Sequence, residues 1–228
     1  LDAGFYLPVS VGDTAFVDTD FDGLQEATDP GLPGVTVTLY NAATNTIVTT
    51  NAYGDPVVPQ VTDANGAYLF DSLAVGSYYV VFNKNTAVNG TDYVPTTQNV
   101  NGNANDLDDS DASPTTGQTA ATGLIPSGQS NLTLDAGFYL PVSVGDTAFV
   151  DNDFDGLQEA TDPGLPGVTV TLYNAATNTI VTTNAYGDPV VPQVTDANGA
   201  YLFDSLAVGS YYVVFNKNTA VNGTDYVP

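Results

Sequence analysis

The sequence predicts an all-β chain of tandem antiparallel β-sandwiches, and three observations carry that prediction. Apolar residues recur with a period of two, Gly, Pro, Asn and Asp clusters separate the apolar runs, and the chain repeats itself. Residues 1–95 align with 134–228 without a gap, and Thr19 against Asn152 is the single difference. The offset between Leu1 and Leu134 sets a period of 133 residues, near the usual size of one domain and able to bury its own core.

Taken in order, the first run is 11-VGDTAFV-17. In the second, 35-VTVTLYN-41, Val35, Val37 and Leu39 face one way while Thr36, Thr38 and Tyr40 face the other. A sheet with one buried face requires that alternation. Further runs are 46-TIVTT-50, 57-VVPQV-61, 67-AYLF-70, 77-SYYVVF-82, 119-TAATGLI-125 and 131-NLTLDAGFYL-140. Turn signals lie between them at 30-PGLPG-34, 53-YGDP-56, 63-DANG-66, 74-AVG-76, 101-NGNAND-106 and 126-PSG-128. No stretch has a helical period, and short strands so punctuated read as an antiparallel, immunoglobulin-like β-sandwich. The unit boundary falls at 7-LPVS-10 and its copy 140-LPVS-143. Residues 1–7 then read as the last strand of a preceding repeat, 8–140 as a complete repeat, and 141–228 as a repeat lacking its final strands. The chain reads as a slice of a longer array. Its short joints, stiffened at Pro8 and Pro141, imply a rod.

Composition narrows the function. Asp and Glu number 26 against two Lys and no Arg or His, for a net charge of −24. Nucleic acid needs cationic residues to neutralise its phosphates, so it is excluded as a partner. An anionic membrane surface is disfavoured by the same sign, and no run is long enough to insert in a bilayer. With no His and no Cys, the commonest general base, the thiol nucleophile and the soft metal ligands are all missing. An enzyme is not expected. A hard, oxygen-liganded cation is the metal that suits this chain.

The stretch 18-DTDFDGLQEATD-29 points to that cation. Asp18, Asp20 and Asp22 take positions 1, 3 and 5 of an EF-hand loop pattern, Gly23 takes 6, Leu24 offers a carbonyl at 7, Glu26 sits at 9 and Asp29 at 12. The copy supplies Asp151, Asp153, Asp155, Leu157, Glu159 and Asp162. Two like charges ~4 Å apart repel by about 1 kcal/mol in water and about 4 kcal/mol at an effective dielectric of 20. Five carboxylates on one loop therefore either splay into solvent or close on a divalent ion. Calcium fits better than magnesium, which holds out for octahedral geometry and retained waters. The flanks are strands, so the site reads as structural, without a helix pair to open. A second acidic cluster, 106-DLDDSD-111, offers Asp106, Asp108, Asp109 and Asp111. Asp63 and Asn65 form a hairpin-turn signal first and ligands second, and Asp13 and Asp135 rank below them. Sequons at Asn89, Asn131 and Asn222 are expected by chance in so Asn- and Thr-rich a chain.

The order SVGDTAFVDTDFDGLQEATDPGLPGVTVTLYN, VTDANGAYLFDSLAVGSYYVVF, DLDDSDAS, NLTLDAGFY resembles the B-repeat domain of serine-aspartate-repeat surface adhesins, over the whole period. That domain is related to the B-type modules of collagen adhesins. The resemblance implies a transthyretin-like sandwich, calcium in acidic loops, an extracellular position and a stalk role. The Lys that starts an isopeptide crosslink in collagen-adhesin modules has no counterpart in 11-VGDTAFV-17, so no such crosslink is expected. The chain thus reads as a calcium-stiffened stalk or filament shaft at the cell surface. Its partners would be neighbouring repeats and neighbouring chains of a fibre. An adhesive module that captures a host or matrix ligand through loops or a sheet edge is the alternative.

Overall fold

A computed structural model of the chain describes residues 2–84, 86–88, 91–100, 102, 108–216, 219–221 and 224–226, with 86–88, 219–221 and 224–226 as backbone alone. The chain divides into two compact units, Leu1–Leu140 and Pro141–Pro228. Every regular element among the described residues is a strand, and no helix is long and apolar enough to cross a membrane.

Unit 1 contains β1 (Val9–Val17), β2 (Thr36–Asn41), β3 (Thr46–Ile47), β4 (Gln60–Val61), β5 (Ala67–Leu73), β6 (Tyr78–Phe82), β7 (Thr86–Val88), β8 (Thr91–Pro95), β9 (Ser130–Asn131) and β10 (Ala136–Tyr139). One sheet runs β5-β1-β10-β8-β7, with β9 also on β1. In the other, β2 pairs with β3, β4 and β6. Pairing is antiparallel except where β1 meets β9 and β10. The first and last long strands therefore run the same way, as a chain that enters at one end and leaves at the other requires. Val9 and Val11 of β1, Val37 and Leu39 of β2, Phe70 and Leu73 of β5, Val80 and Phe82 of β6, and Phe138 of β10 share one core. Both sheets bury their apolar faces in it, which makes unit 1 a sandwich.

Three sequence expectations change. The run 119–125 forms no strand; it lies along β6, with Thr119 N donating to Val80 O (3.0 Å) and Thr122 N to Tyr78 O (2.8 Å). Thr119 and Thr122 Oγ1 accept from the N–H groups of Val80 and Tyr78, so side-chain hydroxyls occupy places that strand carbonyls would fill. The runs 46–50 and 57–61 shrink to two-residue strands, because the 53-YGDP-56 turn spreads into Asn51 and Val57. The antiparallel pair β7–β8 carries no strong alternation in sequence and lies outside the expected strands.

Unit 2 contains β11 (Val142–Thr147), β12 (Thr169–Asn174), β13 (Thr179–Ile180), β14 (Gln193–Val194), β15 (Ala200–Leu206), β16 (Tyr211–Phe215), β17 (Thr219–Val221) and β18 (Thr224–Tyr226). Its pairings repeat those of unit 1 where the sequence repeats: β11 with β15, and β12 with β13, β14 and β16. Its buried cluster is smaller: Val170, Leu172, Phe203 and Leu206. Phe82 is 1% exposed, whereas its copy Phe215 is 38% exposed. The physical reason is in the sequence, since residues 96–133 have no second copy within the 228.

Candidate metal centre

β1 runs straight into the acidic loop, and the parallel β10 fixes where that loop starts. Asp18 N donates to Phe138 O at 2.7 Å, so the loop sits at the end of the sandwich where β10 leaves. Asp18 is buried and organises the turn. Its Oδ1 accepts from Phe21 N (2.7 Å) and Asp22 N (3.2 Å), and its Oδ2 accepts from Gly23 N (2.9 Å) and from Thr96 Oγ1. Gly23 supplies a φ of +83°, the left-handed conformation that such a turn needs and that glycine adopts without strain. Asp22 Oδ1 accepts from Leu24 N (2.8 Å). Asp18, Asp20 and Asp22 each bring a carboxylate oxygen within 4.8 Å of the others.

Glu26 and Asp29 do not join that triad. Asp29 Oδ1 accepts from Thr19 N (3.1 Å) and Thr19 Oγ1 (2.7 Å), and its Oδ2 from Glu26 N (3.1 Å), so position 12 closes the loop by hydrogen bonds. Desolvation acts to raise Asp29, but those donors outweigh it and hold its carboxyl below the usual value. The Glu26 carboxyl is pushed up to about 7, by desolvation first and then by Asp29, Asp22 and Asp20. The anionic crowding foreseen from sequence thus falls on Glu26.

The copy behaves alike. Asp151, Asp153 and Asp155 converge within 4.8 Å, Asp151 accepts from Phe154, Asp155 and Gly156 N, and Leu157 N donates to Asp155 Oδ1 (2.8 Å). Asp162 again takes the closing role, receiving Glu159 N (3.2 Å). The one substitution between copies is absorbed locally: where Thr19 donates to Asp29, Asn152 Nδ2 donates to Thr161 O (3.0 Å).

The second acidic cluster is divided by the fold. Asp106 lies outside the described residues. Asp108 O accepts from Gln25 N (3.1 Å) and Ser110 N donates to Gly23 O (3.1 Å), with Leu24 bridged to Asp109. The two acidic segments are therefore zipped together by backbone. Asp111 turns the other way. Its N–H donates to Asp135 O (3.1 Å) and its Oδ2 accepts from Asp135 N (3.3 Å). Asp63 is occupied by its turn, with Oδ1 accepting from Asn65 N and Ala67 N.

A site that sequence order ranked low emerges here. Asp13 on β1 and Asp135 ahead of β10 meet Asp111 in the interior of unit 1. Asp13 Oδ2 and Asp135 Oδ2 are buried with no donor from another group, and the two carboxyls are close enough to share a hydrogen bond once one is protonated. Burial raises the Asp135 carboxyl to about 9, with the Asp13 and Asp111 charges next; burial likewise raises Asp13 to about 6. Tyr68 lies beneath, donating to Leu134 O (2.7 Å), and burial followed by the same three charges raises its hydroxyl well above the usual value. Buried carboxylates without donors are costly unless a proton or a cation sits among them. Both orphaned oxygens fit an oxygen-liganded ion. No local motif announces this cluster, because its members come from opposite ends of the repeat.

A family model described as "SdrD B-like domain" matches residues 9–138 and 142–226. Serine-aspartate repeat-containing protein F of Staphylococcus epidermidis is 37% identical over 235 residues, which cover 99% of this chain and 12% of that protein. Serine-aspartate repeat-containing protein E of Staphylococcus aureus is 36% identical over 98% of this chain and 17% of its own length. A Staphylococcus aureus protein named bone sialoprotein-binding protein matches to the same extent. The chain thus spans less than a fifth of these relatives. Among solved structures, a streptococcal ancillary pilin aligns with 97% of this chain and 59% of its own at 14% identity and a TM-score of 0.39.

Proposed function

The chain belongs to the SdrD B-like domain family, and from that premise we propose that it is an extracellular spacer, a run of sandwiches fastened by calcium in the shaft of a surface adhesin or fibre. The observation that carries this reading is the convergence of Asp18, Asp20 and Asp22 and, in the copy, of Asp151, Asp153 and Asp155. A chain with two Lys and no Arg or His has almost nothing of its own to neutralise them. Calcium would be held at the loops by Asp18, Asp20 and Asp22 and by Asp151, Asp153 and Asp155. There it would supply the positive charge that the chain lacks. Near-identity of the two copies supports a role in spacing, since a unique ligand site has no need of repetition.

Calcium that binds only the folded state stabilises it by mass action, about 2.7 kcal/mol at a hundredfold excess over Kd. The test is thermal melting of the chain in chelator and in calcium, beside the double variant Asp20→Ala with Asp153→Ala. Both residues are exposed, so the variant should melt like the parent in chelator and gain distinctly less from calcium. Equal melting of the parent with and without calcium would refute the proposal. Magnesium should substitute poorly, given its demand for octahedral geometry.

A further inference from the structure

The chain has no Cys, Met, Trp or His, but it has 14 Tyr. The sulfur side chains that ordinarily take up oxidising equivalents are therefore absent, and the phenol ring is the most easily oxidised group left. Where the phenols stand decides what an oxidant does to this protein. On β2 and β6, Tyr40 lies directly opposite Tyr79, with ring centroids 4.9 Å apart and planes 8° from parallel. On β12 and β16 the copies Tyr173 and Tyr212 repeat the stack at 5.1 Å and 11°. Directly opposite positions of an antiparallel pair hold their Cβ atoms about 4.5–5.5 Å apart, which sets the two rings side by side. The Tyr79 hydroxyl donates to Asn45 Oδ1 (2.5 Å), and that of Tyr212 to Asn178 Oδ1, so the second ring of each stack is also pinned at its tip. The other ring contacts among the described residues are edge-on, and none of them joins two tyrosines.

We propose that Tyr40 with Tyr79, and Tyr173 with Tyr212, are sites of oxidative crosslinking, each pair joined as a dityrosine by a one-electron oxidant of the peroxidase class that draws on hydrogen peroxide. Each phenol gives up one electron and its hydroxyl proton. The two radicals combine in a bond between the carbons ortho to the hydroxyls, and the hydrogens on those carbons return to the oxygens. Two hydrogen atoms leave the protein, and one hydrogen peroxide is reduced to two waters. Stacked rings have only to slip and tilt to form that bond. Tyr79 is 7% exposed while Tyr40 is half-buried, so oxidant reaches Tyr40 first. Ring contact lets the radical pass to Tyr79, after which Tyr40 is oxidised again and the pair couples. The bond ties two neighbouring strands of one sheet and closes the chain between residues 40 and 79. It restricts the unfolded chain as a disulfide would, in a sequence that has no Cys to make one, and it needs no cation.

The test treats the dilute 228-residue chain with a haem peroxidase and hydrogen peroxide in chelator, so that its outcome does not depend on calcium. Single chains are then separated from linked chains under denaturing conditions. The single-chain product should show the blue fluorescence of dityrosine and a mass lower by two hydrogen atoms for each joined pair. Cleavage at Asp and Glu should leave the β2 peptide bonded to the β6 peptide, and the product should melt above the untreated chain. Tyr40→Phe keeps the ring and removes only the hydroxyl, so it should fold as the parent does and lose one of the two mass steps. Adding Tyr173→Phe should abolish both steps and the rise in Tm. Tyr53→Phe, at a ring 71% exposed outside the stack, should leave the single-chain product unchanged. Dityrosine found only between chains would overturn the proposal. So would a single-chain yield that survives Tyr40→Phe with Tyr173→Phe, which would place the bond at other tyrosines.

Discussion

Asp135 shows what sequence spacing leaves hidden at the level of one residue. It lies in no motif and more than a hundred positions from Asp13, so nothing local joins the two. The loop aspartates were legible for the opposite reason: Asp18, Asp20, Asp22 and Gly23 occur at a fixed local spacing that a turn converts into convergence. The buried cluster needs β1 and β10 to run in parallel before its members meet. It carries a pH prediction whose sign is set by the raised values of Asp13 and Asp135, about 6 and about 9. A carboxyl with a raised folded-state pKa binds its proton more tightly in the folded chain. Its contribution to stability is present below the unfolded value near 4 and is lost as pH rises through the folded value. Calcium-free unit 1 should therefore melt lower as pH climbs from about 4 to about 9. Asp135→Asn, neutral and able to donate to Asp13, should flatten that decline. A calorimetric series in chelator checks it, and a slope unchanged by the substitution would remove the cluster from the account.

At the scale of elements, turns were more legible than strand ends. The 63-DANG-66 turn forms as its residues dictate, with Gly66 at φ +79° and Gly66 N donating to Asp63 O (3.0 Å). What the sequence does not display is the neighbour pressed against it. Ala15 N donates to Gly66 O (2.8 Å) and Leu32 N to Ala15 O (2.7 Å), which draws the 30-PGLPG-34 turn onto the hairpin. A Cβ on Gly31 would lie 1.8 Å from Asn65 O, so Gly31→Ala must displace backbone on one side or the other. Overpacking of this kind costs about 1–3 kcal/mol. Denaturant unfolding should show a loss of at least that order in unit 1, and Gly4→Ala, where space is open and φ is not left-handed, should lose much less. The 119–125 segment failed as a strand for a related reason. Alternation predicts which faces are apolar, but Thr119 and Thr122 turn their hydroxyls onto β6, and a hydroxyl that replaces a carbonyl leaves no trace in a hydropathy pattern.

For the whole molecule, near-identical sequence in the two units leads to unequal stability. The β12 and β16 pairing of unit 2 repeats that of β2 and β6 residue for residue, so local preference is the same. The difference is burial: the core of unit 1 extends through Ala112, Ile125, Leu134 and Phe138, and residues 96–133 that help supply it have no second copy in the 228. Buried apolar area stabilises at roughly 25 cal/mol per Å², and a side chain such as Phe138 is worth about 3–5 kcal/mol on truncation to Ala. Unit 2 should therefore unfold first. Calcium should raise the stability of both, because among the described residues each unit holds one converging triad, Asp18, Asp20 and Asp22 or Asp151, Asp153 and Asp155. Calorimetry should resolve two transitions, both moving down on chelation. Assignment is direct: Phe138→Ala must lower the upper transition and leave the lower one in place, and Leu172→Ala must do the reverse. A single transition shifted by both substitutions would mean that the two sandwiches fold as one body, and the independence of the repeats would have to be abandoned.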